Sequence, residues 1–124
     1  MALTTLQGLE PMSDAKSGID RLGALEEALL VAVYRLGEDK SYGVALHKEL
    51  QRRLGKTISI GALYVTLNRL AAKGYVSSRK QAGRHGRIRR CYTIQPSGVH
   101  ALNDSRVTTQ KLWDGLCSPL SVRT

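Results

Sequence analysis

Apolar positions along this chain recur first with the period of a helix, then of a strand, then of a helix again. Leu25, Ala28, Leu29, Ala32, Val33 and Leu36 follow i, i+3, i+4, i+7, i+8, i+11, which draws one stripe down an amphipathic helix. Glu26 and Glu27 stand near its start, where the helix dipole favours acids, and Gly37 stops it. Leu30 and Val31 widen the stripe beyond what one core needs, so the pattern predicts a second contact surface there, such as another subunit. Ser41 is placed to cap a second helix over residues 42–54, in which Leu46, Leu50 and Leu54 share a face and which Gly55 ends.

Thr57 to Ser59 predicts a small strand, and Ser59 a cap for a third helix starting at Ile60. Ile60, Leu63, Leu67 and Leu70 form its buried stripe, while Gly61, Ala62, Tyr64, Val65, Asn68 and Arg69 occupy the other side. After Gly74, residues Tyr75 to Gln81 and Ile88 to Ile94 predict the two arms of a hairpin with Gly83 and Gly86 at its tip. Pro96 fits the first turn of a last helix over residues 96–117. Its apolar residues are Val99, Leu102, Leu112, Trp113 and Leu116, and its middle, NDSRVTTQK, is mostly polar. So thin a stripe predicts a helix that crosses a partner. Helix, helix, strand, helix, strand, strand, helix is the order of a winged helix-turn-helix, an α+β and mainly helical fold, here with one added C-terminal helix for dimerisation. The expected division is a tail over 1–18, the winged-helix domain over 19–95, the dimerisation helix over 96–117 and a short tail over 118–124.

Charge sharpens this picture. Of the formal +9, eleven positive charges lie within residues 50–103, where no acid occurs, and the rest of the chain is net negative. A local excess of this kind marks a face for a polyanion. A helix with an open outer side, followed by a basic ribbon, can enter the major groove of double-stranded DNA and lay the ribbon along the backbone. Ser59, Gly61 and Ala62 sit at the helix N-terminus, where free N–H groups and small side chains admit a phosphate. Asn68 has the donor and acceptor to bind adenine, and Arg69 can bind guanine or reach only phosphate. Tyr64 either bonds a phosphate through its hydroxyl or packs against the wing. Arg84, His85 and Arg87 at the hairpin tip meet the minor groove or its phosphates. Lys73, Arg79, Lys80 and Arg89 complete the basic face. His47 and His100 read as packing or surface residues.

Other classes fit less well. The chain has 124 residues and 42% hydrophobic content, enough for one domain with a modest core. No signal peptide and no apolar run near 18 residues appears, so a cytoplasmic protein without a membrane partner is expected. Cys91 and Cys117 stand apart, without metal-ligand spacing, and read as reduced thiols; neither metal nor cofactor is expected. No paired carboxylates, nucleophile elbow or phosphate-binding glycine motif points to an enzyme. An RNA-binding winged helix would share the charge, yet with no Phe, five Tyr and one Trp the chain lacks a base-stacking platform. A non-enzymatic adaptor using the basic face for an acidic partner is the other alternative.

GALYVTLNRLAAKGYV, followed by the basic tip and RRCYTIQPSG, resembles the signature of PadR-like transcriptional regulators, and LGALEEALLVAV and SYGVALHKEL resemble the first two helices of that family. The resemblance covers residues 22–100. It implies a winged-helix homodimer on a palindromic operator, usually a repressor, and a short subgroup with a single C-terminal helix. Cys91 stands where an aromatic residue is common, and Gln95 where a residue nearer to Thr is expected. In some short members aromatic residues of the last helix line a cavity for flat apolar ligands. For Trp113, beside Leu102 and Leu116 and less closely Val99, the readings are therefore an interface anchor or the wall of a site for a small planar ligand.

Overall fold

The computed structural model describes residues 22–122 of the chain; the tail expected over 1–18 lies outside the described residues. Among the described residues, four helices and one hairpin follow in the order α1 (Ala24–Leu36), α2 (Gly43–Leu54), α3 (Ile60–Ala72), β1 (Val76–Ala82), β2 (Ile88–Ile94) and α4 (Pro96–Trp113), with a 3-10 turn at Arg84–Gly86. The strands are antiparallel, in a register that runs from Val76 opposite Ile94 to Ala82 opposite Ile88. This is the winged helix-turn-helix that the apolar pattern predicts.

Each amphipathic stripe supplies one wall of a common core. Leu29, Leu30, Ala32 and Val33 come from α1, Leu46 and Leu50 from α2, Leu63, Leu67 and Leu70 from α3, and Val76 and Tyr92 from the hairpin. Each such leucine removed from water contributes about 1.5–3 kcal/mol. Leu22, Leu25, Ile58, Ile94 and Leu102 close the rim.

The structure departs from the sequence pattern at several points. Leu30 is fully buried within its own domain, so the wide stripe of α1 serves the core on that side and leaves half-buried Val31 and exposed Tyr34 outward. Ser41 is not the cap of α2, since Tyr42 takes that position without a side-chain bond. The Ser41 hydroxyl is buried and donates to the carbonyls of Gly37 (2.6 Å) and Val33 (3.2 Å), closing the open end of α1. No strand forms over 57–59. Residues Ser41 and Tyr42 instead take the free edge of β2, Tyr42 bridging Cys91 and the Tyr92 N–H donating to the Ser41 carbonyl at 2.9 Å. Leu54 and Ile60, at helix ends beyond the core edge, are about half exposed. The hairpin's first arm begins at Val76, and α4 ends at Trp113, four residues earlier than its apolar pattern predicts.

The first half of α4 belongs to the domain and the second does not. A Cβ on Gly98 would collide with the Tyr75 carbonyl and Ile94, so glycine lets the helix lie against the base of the hairpin. Ser105 is fully buried and accepts a bond from the Leu22 N–H at 3.4 Å. Beyond it Val107, Leu112 and Trp113, with Leu116 and Leu120 after the helix, are exposed. Among the described residues, no helix is long and apolar enough to cross a membrane.

Candidate nucleic-acid interface

The N-terminus of α3 is built by Ser59, whose Oγ accepts the Ala62 N–H at 2.9 Å. That bond satisfies one of the free donors of the first turn and fixes where the helix starts. Gly61 and Ala62 are exposed beside it. Thr66 is turned inward, its hydroxyl donating to the Ala62 carbonyl at 2.8 Å, and with Leu63, Leu67 and Leu70 it makes the buried side of the helix. Val65, Asn68 and Arg69 are therefore presented outward. Tyr64 is 41% exposed, and its hydroxyl lies so close to Gly43 that no Cβ would fit there. The glycine at the start of α2 thus lets α3 approach.

The wing has two faces. On one, Arg79 donates to the Asp39 carboxylate (3.0 Å) and the Glu38 carbonyl (3.4 Å), and the Arg89 guanidinium stacks 3.6 Å from the Tyr42 ring centre. Cys91 is fully buried between them in the register, its thiol donating to Gln81 Oε1 at 2.6 Å. On the other face Val76 and Tyr92 dip into the core, and past them Lys80 and Arg90, which are cross-strand partners, are exposed. Burial raises the Tyr92 phenol above its ordinary 10.0, so it stays a neutral donor. The tip is closed by the Gly83 N–H donating to the Arg87 carbonyl at 2.5 Å, and His85 sits at φ 58, in the left-handed region. His85 and Arg87 are exposed.

The family model described as the transcriptional regulator PadR-like family matches residues 33–104, from the last turn of α1 into α4. The chain belongs to this family. A curated relative, the transcriptional regulator Rv3488 of Mycobacterium tuberculosis, is 35% identical over 80 residues, which cover 64% of this chain and 73% of that protein. Among solved structures, a PadR family regulator from Eggerthella lenta is similar at 25% identity and a TM-score of 0.58, covering 70% of this chain and 75% of its own. The PadR of Bacillus subtilis, determined in complex with operator DNA, superposes with a TM-score of 0.60 at 21% identity, over 82% of this chain and 54% of that one. At that identity the second likeness concerns the fold.

Within this PadR-like domain the residues singled out from the sequence fall into two groups. Ser59, Gly61, Ala62, Asn68 and Arg69 share the outer side of α3, and Lys80, His85 and Arg87 are exposed on the wing. The backbone of Arg84 lies in the tip turn. Lys73, Arg79 and Arg89 each have a partner within the protein, although Lys73 and Arg79 stay exposed. Lys73 donates to the Glu26 carboxylate at 2.9 Å, which joins the end of α3 to the start of α1. Burial pushes the Glu26 carboxyl up, but the Gly23 N–H and Lys73 outweigh it and hold the group below its ordinary 4.5. Arg52 and Arg53 both bind Glu49 at 2.6 Å, and these bonds lower its pKa. Tyr64 lies on Gly43, a contact that neither reading of this residue from the sequence had included. His47 binds the Ile58 carbonyl at 2.5 Å and holds the connection before α3. Arg90, one of the eleven charges of the basic stretch, is exposed beside Lys80, and its place two residues after Ile88, opposite Lys80, is the signal that strand alternation offers for it.

Of the apolar residues assigned to a dimer or ligand, Leu102 packs on the core and Val99 is half-buried, whereas Leu112, Trp113 and Leu116 are exposed. Among the described residues, no cluster of His, Cys, Asp and Glu could hold a metal ion.

Proposed function

We propose that this PadR-like protein is a sequence-specific binder of duplex DNA that acts as a homodimer on a palindromic operator and represses transcription. The observation that carries this reading is the common exposure of the outer side of α3 and of the cations on the adjoining wing. A capped helix end, an amide and a guanidinium on one helix side can meet base edges and phosphates, while Lys80, Arg87 and Arg90 neutralise the flanking backbone. The operator complex of the Bacillus subtilis PadR supports this use of the fold.

The dimer reading rests on the second half of α4. Val107, Leu112, Trp113, Leu116 and Leu120 expose more apolar surface than a helix end needs for solubility, and two recognition helices must be held about 34 Å apart to address one side of a palindrome. Trp113 is the anchor of this surface, since a large ring buries much area at low entropic cost. A small planar apolar ligand would bind at the same surface, and it would release DNA only as far as it favours the arrangement that cannot bind.

Selection of bound fragments from the source genome tests the proposal. Enrichment of fragments sharing an inverted repeat, resistant to competition by unrelated duplex, is expected. Binding that unrelated duplex competes away equally would leave only a non-specific polyanion face. Sedimentation of the full chain is expected to give a dimer, and of a chain ending at residue 106, which keeps Leu102 and Ser105, a folded monomer.

A further inference from the structure

A line drawn down α3 opposite Leu63, Thr66, Leu67 and Leu70 passes through Gly61, Val65, Asn68 and Ala72, spaced i, i+4, i+7, i+11. These are the residues that reach deepest when the helix lies in a groove; Arg69 and Tyr64 stand to either side. Three of the four have no hydrogen-bonding side chain. Gly61 and Ala72 offer almost no side chain at all, so the projecting groups on this line are the Asn68 amide and the two methyls of Val65, which is 56% exposed. A β-branched residue in an exposed helical position costs about 0.5 kcal/mol relative to alanine in helix propensity, and here it returns nothing to the domain's own core. The one feature of a base-pair edge in the major groove that an apolar side chain recognises is the C5-methyl group of thymine.

We infer that Val65 is a specificity-determining residue that contacts a thymine methyl in each half-site, next to the base addressed by Asn68. Val65 and Asn68 are three residues apart, about 4.5 Å along the helix axis, against about 3.4 Å per base step, so the two side chains address neighbouring steps. The inference rests on the proposed DNA-binding function and adds to it what the centre of the helix reads.

The test scans the selected operator duplex, one thymine at a time, with deoxyuridine, which keeps the pairing and deletes only the methyl. For the full-length protein one position per half-site is expected to lose affinity about fourfold, the worth of one methyl removed from water. In Val65→Ala the same substitution is expected to change affinity less than twofold, while the thermal unfolding curve stays that of the parent. A flat scan, or a methyl effect that survives in Val65→Ala, overturns the assignment and leaves the DNA-binding function standing. Failure to enrich any fragment over random duplex overturns both.

Discussion

One face of the β1–β2 hairpin holds its cations against partners in the protein, and the other presents them outward. Arg79 and Arg89 alternate with Lys80 and Arg90 along the same two strands, yet Arg79 meets Asp39 and Arg89 covers Tyr42, whereas Lys80 and Arg90 are exposed and Arg90 donates to the Ser78 hydroxyl. The difference lies in what stands opposite. The connection between α1 and α2 brings Asp39 and Tyr42 to the first face, and among the described residues no acid pairs with a cation on the second. Positive charge on a wing is therefore not by itself an interface. An arginine that already has an acid or a ring is part of the fold, and one without a partner is available to phosphate.

The largest effect expected from this division is on salt dependence. Each phosphate neutralised releases condensed counterions, so about six contacts would lower affinity roughly a thousandfold between ~50 and ~200 mM salt. Arg87→Ala, on the exposed tip, should lower the slope of the salt plot by about one and weaken operator and random duplex alike. Arg79→Ala, on the occupied face, should leave the slope unchanged. Titrations at four salt concentrations check both, and equal slopes for the two variants would erase the distinction between the faces.

Asn68→Ala comes next. Asn68 is exposed on the outer side of α3, and a bidentate contact with adenine would be worth about 1–3 kcal/mol of discrimination. The variant should bind the operator more weakly and random duplex as before. Equal losses on both would move Asn68 from reading bases to positioning on the backbone.

The elements that repeat locally were legible in the sequence, and those that depend on a distant partner were not. Leu63, Leu67 and Leu70 could be placed by their spacing, and the hairpin by its alternation and its glycines. Ile60 fitted the same stripe but stands in the first turn of α3, past the edge of the core, and Thr66 fills the buried side because its hydroxyl is satisfied by the turn below. The third strand position could not be found at Thr57 to Ser59, since the edge of β2 is taken by Tyr42, about fifty residues earlier in the chain. The outer side of α3 was readable for the same reason as its inner side. The fates of Lys73, Arg79 and Arg89 were not, because each is decided by a residue from the α1 region or the connection after it.

Arg89→Ala sharpens the comparison from the side of stability. The cation on the Tyr42 ring contributes about 0.5–2 kcal/mol. Among the described residues, however, Arg89 Nε is buried without a hydrogen-bond partner, and removing it relieves part of that cost. A net loss of about 1 kcal/mol is expected, seen as a lower midpoint in urea with an unchanged slope. Arg90→Ala should leave the midpoint where it is. A destabilisation of the same size in Arg90→Ala would mean that both faces support the fold.

The smallest effect concerns the remaining tied cation, Lys73, through its partner. Glu26 accepts the Gly23 N–H and the Lys73 ammonium, and its carboxyl is held below the ordinary 4.5. A group whose pKa is lower in the folded than in the unfolded chain binds protons preferentially when unfolded. Its contribution is therefore fully present above about pH 4.5 and is lost as the pH falls through the lower, folded value. Lys73 is more than a third exposed, so solvent screening keeps the pair's worth on the order of 1 kcal/mol or less. Glu26→Gln should lower the urea midpoint at pH 7, and the difference from the parent should shrink as the pH is brought below 4. Glu49 titrates in the same direction and is present in both proteins, so the comparison of variant with parent isolates Glu26. A gap that stays constant from pH 7 to pH 3 would assign the role of Glu26 to packing at the start of α1, and the link from α1 to the end of α3 would carry no electrostatic part.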